Sequence, residues 1–282
     1  MPPIDYETEY DNRGRVPEHP ALFAQMERDS AAYRAASPKA ELGLRYGSTA
    51  RQYIDTFPAK SGAAGAPLAL FIHGGYWRSR DPSSYSHLAA ELNARGVDVA
   101  IAGYDLCPQV TIAAIIEQMR AACLFLWRKR NQRMMVFGHS AGGHLTACMV
   151  ATDWQKFAPD APVDLVPSGY SISGVFDLTP LLHVSTNADF RLDEAEAKRV
   201  SPVFWTPPPG RMLDAVVGGA ESSEFLRQSR IIADGWKDKA QTRYEEIPGA
   251  NHFTVVDPIN DANSPMVARL VELTKQVAAK PL

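Results

Sequence analysis

The chain has 282 residues, with 29 Lys and Arg against 32 Asp and Glu, a formal net charge of −3. Hydrophobic residues make up 45% and charged residues 22%, proportions ordinary for a soluble globular protein, and the lack of a basic excess argues against nucleic acid or an anionic membrane surface as the main partner. Cys107, Cys123 and Cys148 are too few for a disulfide framework and form no Cys-x-x-Cys pair, so they read as buried thiols of a reducing compartment. No basic-plus-apolar leader opens the sequence, and no run approaches the roughly 18 apolar residues of a membrane helix. The expectation is a cytoplasmic protein with one domain over 1–282 and a small-molecule partner; a homodimer stays open.

Residues 1–60 form a polar N-terminal segment, with weak helical periodicity over 20–36 and an extended piece near 51–57. From there a regular alternation begins. Residues 67–73 (PLALFIH) are a continuous apolar run, the pattern of a strand buried on both faces. Asp81 and Pro82 supply an N-cap and a proline at the first helical position, predicting a helix that runs to Arg95 before Gly96. Strands follow at 97–103, 133–138, 169–173, 212–218 and 243–247, with helices over 111–130, 141–152, 223–237 and 262–278. Strands alternating with helices at this rhythm predict an α/β fold, a mostly parallel sheet covered by helices on both faces. The irregular, proline-rich stretch 175–210, with a helical piece over 192–200, reads as a cap-like insertion above the C-terminal edge of the sheet, where such sheets bind ligands.

The chemistry-bearing motif is Gly138-His139-Ser140-Ala141-Gly142. It matches G-x-S-x-G and lies between a strand and a helix, the strand–sharp turn–helix setting that lifts a serine hydroxyl above a sheet. His73-Gly74-Gly75-Tyr76-Trp77 closes the 67–73 strand, where this architecture places the loop that completes an oxyanion hole. The N–H groups of Gly75 and Tyr76 are favoured there over Gly74, with Ala141 N–H as the partner donor. A hydroxyl nucleophile needs a base. In the chain order Ser, acid, His, only His183 and His252 come late enough; His252 sits in a turn after the 243–247 strand, whereas His183 falls in the insertion and reads as pocket lining. The acid belongs after the 212–218 strand, so Glu221 is preferred to Glu224, which reads as a helix-start charge, and to Asp214 inside the strand. His139 and His144 flank the serine as packing or supporting groups. No His, Asp or Glu cluster has metal-ligand spacing, so neither metal nor cofactor is expected.

These stretches, together with Tyr104-Asp105-Leu106-Cys107-Pro108, Ser173-Gly174-Val175-Phe176-Asp177-Leu178, Glu221-Ser222-Ser223-Glu224-Phe225 and Asn251-His252-Phe253, resemble the kynurenine formamidase (arylformamidase) branch of the α/β-hydrolase superfamily over nearly the whole chain. HGGYW is that branch's form of the oxyanion loop. The family writes the acid segment as D-S-P-E-F, which aligns Glu221 with its catalytic aspartate; a glutamate is a departure that keeps the carboxylate. The resemblance implies a serine hydrolase converting N-formyl-L-kynurenine to L-kynurenine and formate in tryptophan catabolism. The alternative it leaves is a general carboxylesterase or aryl amidase acting on small acyl groups. The implied triad is Ser140, Glu221 and His252. Trp77, Tyr104, Trp205 and Phe253 are expected to stack the aryl ring, and His183 and Asn187 to hold the amino-acid end.

Overall fold

The computed structural model describes residues 3–279; Met1, Pro2 and residues 280–282, which the expected domain also includes, lie outside the described residues. Eight strands form one sheet: β1 (Glu41–Arg45), β2 (Tyr53–Phe57), β3 (Leu68–Ile72), β4 (Asp98–Ala102), β5 (Met134–His139), β6 (Ser168–Ile172), β7 (Met212–Gly218) and β8 (Gln241–Ile247). Their order is β1-β2-β4-β3-β5-β6-β7-β8. The β1–β2 and β2–β4 pairs are antiparallel and the remaining pairs parallel. Strands β3, β4, β5 and β6 are buried along their full length; β3 accordingly reads as an unbroken apolar run, whereas β6, Ser-Gly-Tyr-Ser-Ile, is buried with small and polar residues.

Eleven α-helices accompany the strands among the described residues: α1 (Tyr6–Tyr10), α2 (Asn12–Arg15), α3 (His19–Ala35), α4 (Ala90–Ala94), α5 (Ile112–Arg130), α6 (Ala141–Val150), α7 (Trp154–Phe157), α8 (Asn187–Phe190), α9 (Glu194–Arg199), α10 (Ser223–Trp236) and α11 (Pro265–Ala278). Alternation within each strand sorts its side chains between two cores. Leu68, Leu70 and Ile72 pack with residues of α5, α6 and α10, whereas Ala69 and Phe71 face Leu92 of α4 and Val267 and Leu270 of α11. No helix of the described residues is long and apolar enough to cross a membrane.

Two local expectations change. The predicted 82–95 helix opens as a 3₁₀-helix over Pro82–Ala89 and becomes α-helical only in α4. Asp81 caps it as expected, accepting from Ser83 N at 3.0 Å. The serines behind it bond locally, Ser83 Oγ to Asp81 and Ser86 Oγ to Ser83 O, competing with the α-helical ladder. Strand β1 carried little sequence signal because Glu-Leu-Gly-Leu-Arg is a short, exposed edge whose alternating Leu42 and Leu44 flank a glycine. It is held instead by Gly43 N, which donates to the buried Asp55 carboxylate at 2.7 Å.

Candidate active site

Strand β5 leads into Ser140, and α6 begins at the next residue. Ser140 has φ 57° and ψ −119°, a conformation that costs a non-glycine residue about 1–3 kcal/mol. The sheet and the helix hold it there: Ser140 N donates to Ile172 O at 2.8 Å, and His144 N closes the first helical turn on Ser140 O. Glycines make the close approach feasible. A Cβ on Gly142 would stand 1.9 Å from Ile72 O, and one on Gly138 would stand 2.3 Å from Gly142 O.

His252 arrives from the turn after β8. The Asn251 side chain shapes that turn, accepting from Phe253 N at 2.9 Å and Thr254 N at 3.0 Å, a local bond that suits asparagine. His252 Nε2 lies 3.0 Å from Ser140 Oγ, and its Nδ1 lies 2.6 Å from Glu221 Oε2. Phe225 tilts against the imidazole with ring centroids 4.5 Å apart. Glu221 follows β7 across a turn in which Gly218 is required, since a Cβ there would meet Ala250 O at 2.3 Å. Its other oxygen, Oε1, accepts from Gly218 N at 2.7 Å and from Ser173 Oγ. The Glu221 side chain is fully buried, so those donors replace the water the carboxylate gave up.

The loop after β3 faces Ser140. A Cβ on Gly74 would be 3.0 Å from Ser140 Cβ, and Gly75 and Tyr76 take positive φ values of 110° and 54°. Among the described residues, no hydrogen-bond partner accepts from Gly75 N, Tyr76 N or Ala141 N, which leaves three donors of the loop and the start of α6 without an internal acceptor. The loop is braced from below. His73 Nδ1 bonds Gly74 O at 2.7 Å, Tyr104 Oη donates to His73 O at 2.8 Å, and the His73 ring stacks on Tyr104 at 4.3 Å.

A cavity of about 290 Å³ opens over Ser140, His252 and Gly75, near the small end of the usual range for small-molecule sites. Phe253 lines it, as expected, together with Phe23, Met26, Tyr76, Tyr85 and Val256. The N-terminal segment supplies much of the wall, through Glu7, Tyr10, Asp11, Asn12 and Arg13. Only Val184, Ser185 and Thr186 come from the insertion.

Five expected substrate contacts lie elsewhere. Trp77 is 1% exposed and meets His144 and Phe190 edge-on, so its volume fills the core. Tyr104 braces the loop instead of lining the cavity, and Trp205 lies outside it, its Nε1 donating to Arg199 O at 3.0 Å. His183 is exposed and stacks on Tyr6 at 5.8 Å. Asn187 spends both ends of its amide on the Leu192 backbone, at 3.0 and 3.1 Å, closing the turn after α8. Glu224, the competing acid, bonds Arg227 at 2.7 and 2.8 Å and accepts from Tyr10 Oη at 2.9 Å; it fastens the N-terminal segment to α10. Asp214 pairs with Arg269 of α11 at 2.8 Å, tying β7 to that helix.

Three further residues support the site, of which His139 was expected to. Ser173, in the positive-φ region at 52°, holds the far oxygen of Glu221. His139 Nε2 donates to His252 O at 2.8 Å; burial, followed by the charge of His252, holds its imidazole well below the usual histidine range, so a neutral ring stands beside the base. Tyr10 is buried. Its backbone carbonyl accepts from Tyr76 Oη at 2.6 Å, joining the N-terminal segment to the oxyanion loop. Burial pushes the Cys107 thiol up to about 11, which disfavours it as a second nucleophile.

The fold agrees with comparisons to known proteins. A family model described as the alpha/beta hydrolase fold matches residues 69–255. A kynurenine formamidase from Salmo salar is 26% identical over 244 residues, spanning 82% of this chain and 81% of that protein; one from Drosophila melanogaster is 29% identical over 245 residues with the same spans. A solved structure of a candidate thioesterase from Silicibacter sp. TM1040 has a TM-score of 0.84 at 31% identity, over 94% of this chain and 98% of that one. A carboxylesterase cloned from a metagenomic library shares the fold, with a TM-score of 0.70 at 18% identity over 93% and 97% of the two chains. The match from β3 through the His252 turn is a family match and not only a shared architecture: the chain is a hydrolase of the alpha/beta hydrolase fold family, on its kynurenine formamidase branch.

Proposed function

We propose that the protein hydrolyses an aryl formamide, N-formyl-L-kynurenine, to L-kynurenine and formate, with Ser140 as nucleophile, His252 as base and then acid, and Glu221 as the carboxylate partner. The observation that carries this reading is the continuous chain Ser140 Oγ–His252–Glu221, at 3.0 and 2.6 Å, under a small cavity. The likeness to kynurenine formamidases at 26–29% identity supports the substrate.

Ser140 Oγ attacks the formyl carbon while its proton passes to His252 Nε2. The Glu221 carboxylate accepts from Nδ1–H, fixes the tautomer that leaves Nε2 free, and stabilises the imidazolium. Negative charge collects on the formyl oxygen, where the free N–H groups of Gly75, Tyr76 and Ala141 receive it; one such donor is typically worth about 3 kcal/mol of barrier. His252 protonates the departing aniline nitrogen as the C–N bond breaks. Water, deprotonated by the same imidazole, then releases formate from the formyl-serine. Tyr76, fixed through its hydroxyl to Tyr10 O, walls the acyl side and favours a one-carbon group.

The test compares kcat/KM on N-formyl-L-kynurenine, an acetanilide and short p-nitrophenyl esters. The reading requires formylkynurenine to exceed the acetanilide by at least a hundredfold. Efficient ester cleavage with negligible deformylation would assign the protein to general carboxylesterases instead.

A further inference from the structure

Arg80 stands out among the charged residues of the cavity wall. Its side chain is only 12% exposed, and its Nε and Nη2 are buried without any hydrogen-bond acceptor. The guanidinium lies 4.1 Å over the Phe23 ring and 5.8 Å from the Tyr85 ring, so aromatic faces hold the plane; the Tyr85 hydroxyl lies close enough to interact with the cation, but no carboxylate meets its Nε and Nη2. The remaining nitrogen, Nη1, reaches Glu27 at 3.5 Å, and that carboxylate is 57% exposed. A pair so long and so open does little to offset a desolvated cation.

The backbone reinforces this placement. Arg80 sits at φ 77°, a conformation uncommon for any residue but glycine, and its carbonyl is held by Arg51 Nη2 at 2.5 Å. Its stem packs on the oxyanion loop, so closely that a Cβ on Gly75 would meet Arg80 Cγ at 2.7 Å. The other charged groups on the wall are occupied or open to solvent. Glu7 accepts from Ser185 N and Oγ, Asp11 caps Gly14 N, and Arg78 pairs with Asp189 at 2.7 Å; Arg13 is exposed.

We propose that Arg80 is the carboxylate-recognition residue of the cavity, and that the physiological substrate carries a free carboxylate which accepts from the Nε and Nη2 edge beside the oxyanion loop. Nε and Nη2 carry two N–H groups in the fork that matches a carboxylate; the fork is closed to solvent here, so binding turns the guanidinium toward the cavity that Arg80 lines. The proposal rests on the serine hydrolase reading of the site. If that reading is specifically formylkynurenine hydrolysis, Arg80 is what holds the amino-acid end, the task expected of His183 and Asn187.

The experiment uses the full chain with p-nitrophenyl acetate as reporter, so it does not depend on formamide preference. Competitive inhibition by 4-phenylbutyrate is measured against 4-phenylbutyramide, which has the same shape without charge. The wild-type protein should bind the carboxylate on the order of 30-fold more tightly, the scale of a charge-assisted hydrogen-bond pair. In R80M that ratio should collapse to about one, and R80K should retain part of it, having the charge without the fork. A wild-type ratio below about three overturns the proposal, and needs no variant to fold. A ratio that persists in R80M overturns it equally. Loss of formylkynurenine turnover with the Ki ratio intact would remove the substrate assignment and leave Arg80 standing.

Discussion

Glu221→Gln is the substitution whose outcome follows most directly from the geometry. The carboxylate has acceptors on both ends: Oε1 takes Gly218 N–H and the Ser173 hydroxyl, and Oε2 takes His252 Nδ1–H. An amide has one acceptor and one donor end. Ser173 can rotate its hydroxyl to accept, but the Gly218 N–H cannot, so the amide oxygen must take the Gly218 side. The NH₂ group then faces His252 Nδ1 and forces that nitrogen to become the acceptor. The imidazole proton moves to Nε2, 3.0 Å from Ser140 Oγ, where it blocks proton transfer from the serine. The equivalent change in serine-protease triads lowers kcat about 10⁴-fold, so kcat should fall by about 10³–10⁴, or about 4–5.5 kcal/mol of barrier. Steady-state kinetics on p-nitrophenyl acetate at neutral pH reads it, with circular dichroism to verify the fold. A kcat within tenfold of wild type would refute the tautomer argument and the assignment of Glu221 with it.

Gly142→Ala drives a methyl group into Ile72 O at 1.9 Å, so thermal melting should show a destabilisation of several kcal/mol; an unchanged Tm would contradict the packing of α6 on β3. Tyr76→Gly removes the acyl-side wall at a position already at φ 54°, which glycine adopts without strain. The ratio of p-nitrophenyl butyrate to acetate turnover should rise at least tenfold, and a constant ratio would show that Tyr76 does not limit acyl size. Burial holds His73, His87 and His144 at about 4, below the ordinary 6.5. The unfolded chain therefore binds more protons between those values, and stability, complete above pH 6.5, drains as pH falls toward 4. Each histidine contributes a slope of up to about 1.4 kcal/mol per pH unit. Denaturant midpoints at pH 7 and pH 5 should differ clearly, and replacing His87 by Leu should flatten the dependence; equal midpoints would deny the buried neutral state.

The parallel core was legible in the sequence because short, mostly apolar segments alternate with helical ones, and β3 to β7 fall within a residue or two of their expected limits. Ser140 and His252 were legible for a different reason: a sharp turn and a tight loop need particular small or turn-forming residues around them. What composition and spacing did not reveal were contacts between distant segments. Tyr104 and Trp77 have the chemistry of substrate-stacking rings, yet the first braces His73 and the second fills the core, a choice made by tertiary packing alone. Asn187 has free hydrogen-bonding groups as a string of letters, but a turn five residues long consumes them. Arg80 carries no motif, since its unsatisfied donors arise only when Phe23 of α3, far away in sequence, covers its plane.

The central claim is that Ser140 carries the bond cleavage of a formamide. Its most direct measurement is the rate of formate release from N-formyl-L-kynurenine by the purified wild-type protein and by Ser140→Ala at saturating substrate. The account predicts a loss of more than 10³-fold, leaving only the residual rate that an oxyanion hole and substrate binding provide. Formate release by Ser140→Ala within tenfold of wild type would contradict it.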